Sequence, residues 1–249
     1  MNIIEIHNLV HRFSDGTPGL DGINLTVRKG DFVVIAGANG SGKTTLLKHL
    51  NGLLYPDAGT VKVDGFSVKK RPKAARQFVG MVFQDADTQI VGETVYEDVA
   101  FGPENLCLPE SEIKKRVEAA LRSVGLWALR YQRPHLLSGG EKRRLAIAGV
   151  LTMKPKVLVF DEPFSNLDYP GIRQVLWQMI RLHKQGHTLI VTTHDLEKVI
   201  AHAQRLIIMK DGKLVRDGIP GDLVEELEKF SIRKPYSRGL KGEFISWVN

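Results

Sequence analysis

Apolar and polar residues alternate along much of the first third of the chain, a pattern typical of half-buried β-strands. Segments 3–10 (IIEIHNLV), 23–27 (INLTV) and 59–65 (GTVKVDG) follow it. Between them, segment 31–37 (DFVVIAG) is continuously apolar before its final glycine, and this predicts a strand buried on both faces. The first third is therefore predicted to be rich in strands, with one of them central.

The middle of the chain changes to a helical period. In segment 111–125 (SEIKKRVEAALRSVG) the apolar residues fall on one helix face. Ser111 is expected to cap the start of this helix and Gly125 its end. The middle third is thus predicted to be a helical insert between strand-rich regions.

The last third alternates between strands and helices. Segments 156–163 (KVLVFDEP) and 187–194 (HTLIVTTH) predict buried strands, and segment 171–186 predicts an amphipathic helix. Helices between buried strands predict an α/β fold whose parallel sheet is covered on both faces. A short helix, a hairpin turn and a final helix are expected at Asp195, Asp211-Gly212 and about Gly221, respectively.

Composition limits the class of protein only broadly. No stretch approaches the roughly 18 uninterrupted apolar residues of a membrane span, and the N-terminus lacks the pattern of a secretory signal. The one cysteine, Cys107, has no internal disulfide partner, which fits a reducing compartment.

The chain carries a net charge of +7 and a sequence pI of about 9.4. A basic protein of this kind can bind nucleic acid, an anionic membrane face or a phosphate ligand, and its charge alone does not distinguish these partners. Part of the excess lies in a tail that is either a solvated end or a contact with a membrane or partner. Its basic residues are Lys229, Arg233, Lys234, Arg238 and Lys241.

Segment 37–45 (GANGSGKTT) has the spacing of a phosphate-binding P-loop, G-x-x-x-x-G-K-[ST], between a predicted strand and a predicted helix. Its backbone amides and the helix N-terminus would surround phosphate oxygens. Lys43 would reach the β- and γ-phosphates, Thr44 would ligate Mg²⁺, and Thr45 would donate to another phosphate oxygen. The absence of an N-K-x-D pattern favours ATP over GTP. The predicted nucleotide contacts are Gly37, Ala38, Asn39, Gly40, Ser41, Gly42, Lys43, Thr44 and Thr45.

Four polar residues are predicted at or near the carboxyl ends of buried strands, where ligands bind in open α/β sheets. Asp161 would hold Mg²⁺, and the adjacent Glu162 would position and polarise the attacking water. Gln84, which ends the strand-like segment 78–84 (FVGMVFQ), would contact both Mg²⁺ and the water. His194 would hydrogen-bond the γ-phosphate. Lys43, Gln84, Glu162 and His194 are the predicted catalytic residues, and Thr44, Gln84 and Asp161 the predicted Mg²⁺ ligands.

A second glycine-rich turn, Ser138-Gly139-Gly140, opens another helical segment. With the P-loop it completes an ordered set of motifs that resembles the ATP-binding subunits of ABC transporters. The set comprises GANGSGKT (37–44), Gln84, LSGGE (137–141), VLVFDE (157–162), SNLD (165–168) and His194.

The resemblance implies a P-loop NTPase fold with a RecA-like parallel core, an N-terminal antiparallel β subdomain and an inserted helical subdomain. The ATPase domain would span 1–229, with its helical subdomain at about 86–150, and the tail 230–249 receives no role. Phe13 would stack on adenine where the family usually has tyrosine. In trans, within a head-to-tail dimer, the ATP contacts would be Ser138, Gly139, Gly140 and Asp168.

The same resemblance implies partners and a location. The dimer would form with an identical chain or a related ATPase. It would bind transmembrane subunits at the cytoplasmic face of the cell membrane, and nucleic acid would not be a partner. Segment 84–109 and the run EKRRLAIAGVL (141–151) look like energy-coupling-factor importers of cobalt, nickel or vitamins. Five apolar residues of segment 84–109 either line a groove for a transmembrane subunit or belong to the core; they are Val91, Val95, Tyr96, Val99 and Phe101.

Several residues depart from the common family pattern without removing a predicted catalytic group. Glu141 stands where glutamine is commoner, Phe164 replaces threonine or serine, and Asn166 replaces alanine or glycine. Two other functions remain as alternatives. A soluble ABC ATPase acting on nucleic acid or ribosomes suits the basic charge but usually carries a coiled coil or tandem units. A small-molecule kinase leaves LSGGE unexplained.

Overall fold

The computed structural model describes residues 1–238 and 243–248, and its first unit is an antiparallel sheet. Alternating side chains of the long N-terminal strands are buried, as the sequence pattern predicts. The strand order is β2-β1-β4-β5. These strands are β1 (Asn2–Arg12), β2 (Pro18–Arg28), β4 (Ala58–Val63) and β5 (Phe66–Ser67).

The second sheet contains the continuously apolar segments. Its strands are β3 (Phe32–Ala36), β6 (Val79–Val82), β7 (Val157–Asp161), β8 (Thr188–Thr193), β9 (Arg205–Lys210) and β10 (Lys213–Gly218). They follow the order β10-β9-β3-β8-β7-β6, and all are parallel except β10, which pairs antiparallel with β9 at one edge. The predicted α/β class is confirmed, and the sheet is mixed rather than purely parallel.

Strand register brings three strand ends level with one another. Ala36 at the end of β3 pairs with Thr193, and Asp161 at the end of β7 pairs with Thr192 of β8. Residues that directly follow these strands therefore share one edge of the sheet. This edge is where the sequence places its P-loop and its acidic pair.

The two faces of this sheet bury separate apolar cores. Phe32, Phe160 and Val191 face one core, which includes the helices of the middle of the chain. Val33 and Val159 face the other, which is shared with the N-terminal sheet and the helix after the P-loop. Successive side chains of one strand point to opposite faces, so a strand apolar at every position fits only between two covered faces.

Three α-helices occupy the chain between β6 and β7, as the predicted helical insert requires. Gly125 adopts a positive φ of 73° just after the second of them, which suits its predicted place at a helix end. Cys107 lies exposed in the loop that joins the first two. The α-helices of the chain are α1 (Lys43–Leu50), α2 (Pro72–Phe78), α3 (Val95–Asn105), α4 (Glu110–Ser123), α5 (Gly139–Leu151), α6 (Tyr169–Lys184) and α7 (Pro220–Leu223).

Some local expectations are wrong. Pro109, not Ser111, is the N-cap of α4, because Pro109 already has extended backbone angles and the helix begins at Glu110. After Asp195 the chain forms two 3₁₀ turns, at Leu196–Lys198 and Ile200–His202, rather than an α-helix. The predicted final helix from about Gly221 is confirmed: it begins at Pro220 and continues from Val224 as a 3₁₀ helix to Phe230.

The C-terminal residues that the structure describes pack against the protein. Trp247 contacts the ring of Tyr169 at 5.4 Å between centroids, and Ser246 hydrogen-bonds His202. Lys241, one of the basic residues of the tail, lies outside the described residues. The division of the chain at residue 229 stays a prediction.

Within 1–238 and 243–248, none of the helices combines the length and apolarity that a membrane crossing demands.

We expect replacement of Leu121 by alanine to lower the free energy of unfolding by about 2–5 kcal/mol, because a fully buried leucine leaves a cavity. Leu136→Ala is the control, since Leu136 belongs to the same region and is 61% exposed. Urea unfolding followed by circular dichroism would measure both. Equal shifts for the two variants would contradict this account of the helical core.

Candidate ATP-binding site

The loop between β3 and α1 is held in a shape that glycine allows. Gly40 and Gly42 have φ values of 81° and 98°, which other residues rarely adopt. A Cβ on Gly37 would lie 2.5 Å from the carbonyl oxygen of Met209, so no side chain fits there. Gly42 is also the N-cap of α1. The loop therefore brings its backbone amides and the helix N-terminus together in the manner of an anion cradle.

Lys43 folds back over this loop. Its Nζ donates to the carbonyl oxygens of Gly37 and Ala38, at 2.7 and 3.0 Å, and lies 3.8 Å from Oε1 of Glu162. Burial lowers the pKa of Lys43, while the charges of Glu162 and Asp161 act to raise it. A buried ammonium held mainly by neutral carbonyls is suited to receive phosphate oxygens.

Asp161 is fixed from two sides at the end of β7. The Thr44 hydroxyl donates to its Oδ2 at 2.7 Å, and the Thr192 hydroxyl of β8 donates to its Oδ1 at 2.6 Å. Thr44 belongs to α1, so three elements meet at one carboxylate. The predicted Mg²⁺ ligands Thr44 and Asp161 are therefore in direct contact.

Glu162 occupies an unusual backbone conformation, with a φ of 45°. Few residues other than glycine adopt this region, and such strain is concentrated at functional sites. Its amide donates to the Thr192 carbonyl at 3.1 Å, and its Oε1 lies 3.0 Å from Nδ1 of His194. The side chain of Glu162 is thus held between His194 and Lys43.

Most of the predicted nucleotide contacts line one cavity of about 430 Å³. Phe13 stands at this cavity with its ring edge-on to His11, 44% exposed and available for stacking. Gln84 reaches the cavity from two residues beyond β6, not from the strand itself. The lining residues are Phe13, Pro18, Gly19, Asn39, Gly40, Ser41, Gly42, Lys43, Thr44, Thr45, Gln84 and Glu162.

The charges and polar atoms of this cavity fit a magnesium nucleotide. Ser41 Oγ is buried and has no hydrogen-bond partner among the described residues, so it is open to a ligand oxygen. Lys43 lies 3.8 Å from Glu162, and the charges of both Glu162 and Asp161 act on its ammonium group. Bound phosphates would add more negative charge, and a divalent cation held by oxygen ligands would offset it.

The second glycine-rich turn lies in a different cavity, of about 350 Å³. Ser138 is the N-cap of α5, so the amides of Gly139 and Gly140 begin the helix. Asp168 caps α6 and accepts from the Gly171 amide at 2.9 Å. Ser138, Gly139, Gly140 and Asp168 line this cavity together, and none of the P-loop residues does.

The departures from the family pattern have local explanations. Glu141 completes a capping box, because its Oε2 accepts from the Ser138 amide and hydroxyl, both at 2.8 Å, and these bonds lower its pKa. Asn166 has a φ of 61°, a region that asparagine tolerates better than most residues. Phe164 is buried in the core that the helices share.

Comparison with known proteins decides the family. The family model described as ABC transporter matches residues 20–165. The chain belongs to the ABC transporter family. This match confirms the prediction of an ABC ATPase. Relatives named energy-coupling factor transporter ATP-binding proteins confirm the predicted likeness to that group.

Two relatives and one solved structure illustrate this membership. The energy-coupling factor transporter ATP-binding protein EcfA of Methanocaldococcus jannaschii is 44% identical over 241 residues, with 94% of this chain and 86% of that protein covered. The protein of the same name from Methanosarcina acetivorans is 48% identical over 227 residues, covering 90% and 82%. The structure of cbiO1 from Clostridium perfringens, described as part of the ABC transporter complex cbiONQ, matches with a TM-score of 0.83 at 38% identity, covering 93% and 95%.

Sequence reasoning missed Thr192, which contacts both acidic residues of this ABC protein. Its hydroxyl lies within hydrogen-bond distance of Asp161 Oδ1 and of the Glu162 amide, at 2.6 and 3.2 Å. A pair of threonine hydroxyls at the end of a buried strand was the available signal, because buried polar groups need partners. Pro18 and Gly19, which also line the cavity, carry no comparable motif.

We expect Lys43→Ala to remove measurable ATP hydrolysis, with a loss of about 100-fold or more, and to weaken ATP binding. The reason is that Lys43 is the ammonium group that faces the cavity beside Glu162. Lys48→Ala, on the same helix but outside the cavity lining, is the control. Phosphate release and equilibrium binding of a fluorescent ATP analogue would measure both effects, and normal turnover of Lys43→Ala would contradict the assignment.

Proposed function

We propose that this chain is the ATP-hydrolysing subunit of an energy-coupling-factor importer, and that it closes as a head-to-tail dimer on ATP to power uptake of a metal ion or vitamin. The observation that carries this proposal is the division of the predicted ATP contacts between two cavities. One cavity is lined by P-loop residues 39–45, Gln84 and Glu162, and the other is lined by the Ser138-Gly139-Gly140 turn and Asp168. A second copy, or a related ATPase, would supply the missing half to each.

The chemistry proposed for the first cavity is hydrolysis by positioning and charge neutralisation. Glu162 is oriented by His194 and would accept the proton of the attacking water. Lys43 would bind the β- and γ-phosphates, and Gln84 would orient the water. Mg²⁺, held by Thr44, Asp161 and Gln84, would neutralise charge that develops on the phosphate oxygens.

The second cavity suits the γ-phosphate of ATP bound to a partner ATPase. The N-terminus of α5 carries the positive end of the helix dipole, and glycine at its first two positions leaves the amides accessible. Bound ATP would thus contribute to the interface, and hydrolysis would weaken it. Asp168, in the same cavity, would lie next to the partner's site.

The proposed membrane partner has a candidate docking surface in segment 84–109. Val95 and Val99 are fully buried and belong to the core, and Tyr96 is partly buried against it. Val91 and Phe101 are 61% and 52% exposed. Of these five apolar candidates, Val91 and Phe101 are therefore the two that we assign to a groove for a transmembrane subunit at the cytoplasmic face of the membrane.

The names of the relatives support transport over the alternatives. The two archaeal proteins are named energy-coupling factor transporter ATP-binding proteins, and cbiO1 is described as part of a transporter complex. Import, and a metal ion or vitamin as cargo, are extended to this chain by resemblance. No role of nucleic acid enters the proposal.

We expect Glu162→Gln to bind Mg-ATP, to hydrolyse it at least about 100-fold more slowly, and to accumulate as a dimer. Adding Ser138→Arg should prevent that dimer while leaving ATP binding intact, because a long cationic side chain would fill the small-residue turn of the second cavity. Light scattering after chromatography in Mg-ATP would measure the mass. A monomeric Glu162→Gln protein at saturating ATP would contradict the dimer model, as would full turnover of Ser138→Arg alone.

We expect affinity purification from the membranes of its own cells, in mild detergent, to recover a multi-span membrane protein with this chain. Charged substitutions at the assigned groove, Val91→Glu and Phe101→Glu, should lower that recovery, because they bury a charge at an apolar contact. Ile219→Glu is the matched control, since Ile219 is 63% exposed outside this segment. Recovery with ribosomes or nucleic acid alone would support the soluble ATPase instead.

A further inference from the structure

Arg143 connects helix α5 to the segment that carries Gln84. It lies on α5, one turn after Ser138, and only 3% of its surface is exposed. Its Nη1 donates to the carbonyl oxygen of Phe83, and its Nη2 donates to that of Gln84. One buried guanidinium group therefore bridges two successive peptide units.

The bridge depends on arginine chemistry. A guanidinium group presents N–H donors on separate nitrogens in a fixed plane, so two of its nitrogens can each bind a different carbonyl, whereas all the donors of a lysine lie on one nitrogen. Burial lowers the pKa of Arg143, and the nearby carboxylates of Asp85 and Asp161 act to raise it. Arginine remains charged in proteins under such conditions. A charged guanidinium group thus binds two neutral backbone carbonyls.

The backbone that Arg143 binds, at Phe83 and Gln84, lies where regular structure ends. Strand β6 stops at Val82, so Phe83 and Gln84 no longer follow the strand ladder. Gln89 accepts from the Phe83 amide at 3.0 Å and donates to the Met81 carbonyl at 3.2 Å. Without Arg143, the two carbonyls would lose the donors that hold them at this point of the chain.

A neighbouring ion pair joins the same two elements. Lys142, the residue before Arg143, lies with its Nζ 2.7 Å from Oδ1 of Asp87. Asp87 is largely exposed, so this pair adds little by itself. It nevertheless provides a second contact between the start of α5 and the segment after Gln84. The buried Arg143 bridge is the stronger of the two contacts.

We propose that Arg143 is a positioning residue that holds Gln84 at the ATP cavity and ties it to the helix whose N-terminus would receive the partner's ATP. This inference rests on the proposed function. Arg143 does not line the ATP cavity itself, whereas Gln84 does. Loss of Arg143 should therefore act through Gln84, and nucleotide binding by the P-loop should persist.

A double-mutant cycle tests this linkage, with Arg143→Met, Gln84→Ala and the double variant compared in steady-state ATP hydrolysis. We expect each single variant to lower kcat by about tenfold with KM for ATP changed less than about threefold, and the double variant to be no slower than Gln84→Ala. Arg116→Met is the matched control, because Arg116 donates to the Thr152 carbonyl at 3.0 Å and lies outside the ATP cavity lining.

The possible outcomes separate this inference from the proposed function. Additive losses in the double variant, or an unchanged kcat for Arg143→Met, would overturn the positioning role while leaving the ATPase proposal standing. An inactive wild-type protein would overturn the proposed function instead. If Arg143→Met fails to fold, Arg143→Lys provides the test: it should retain part of kcat in the wild-type background and change nothing in the Gln84→Ala background.

Discussion

The carboxylate of Asp161 is the point on which the site depends. Its two oxygens accept from Thr44 at 2.7 Å and from Thr192 at 2.6 Å, so a helix and two strands converge on one side chain. This convergence is possible because β7 and β8 are parallel and end in register. The orientation of the P-loop helix, the strained turn at Glu162 and the position of His194 all follow from that shared edge.

The separation of the two cavities follows from the topology. The chain leaves the sheet after β6, forms three α-helices, and returns as β7 next to the strand it left. Helix α5, which starts at the Ser138-Gly139-Gly140 turn, therefore begins at a different cavity from the P-loop, while Arg143 of α5 contacts the segment after β6. Two glycine-rich turns at helix N-termini thus line separate cavities of one chain.

Spacing and periodicity were enough to predict the sheet, the P-loop and the acidic pair, because each depends on local sequence. They were insufficient for residues whose role depends on tertiary packing. Val95 and Val91 are equally apolar in the sequence, yet the first is buried in the core and the second is 61% exposed. Only the packing of the middle helices separates them.

The same limit explains the errors. Ser111 has the chemistry of a helix cap, but the ring of Pro109 fixes the backbone at the N-cap two residues earlier, and the helix begins at Glu110. Arg143 received no individual role from the sequence, although it is buried against the carbonyls of Phe83 and Gln84. A charged residue with backbone acceptors has no partner that a sequence motif can identify.

Cys107 has a practical consequence. It is the one cysteine of the chain, it is exposed, and it lies between α3 and α4 in the helical region rather than near the ATP cavity. A thiol-reactive dye or spin label would therefore attach at a single natural position. Movement of the helical region against the P-loop core can be followed spectroscopically by adding one further label, without first removing native cysteines.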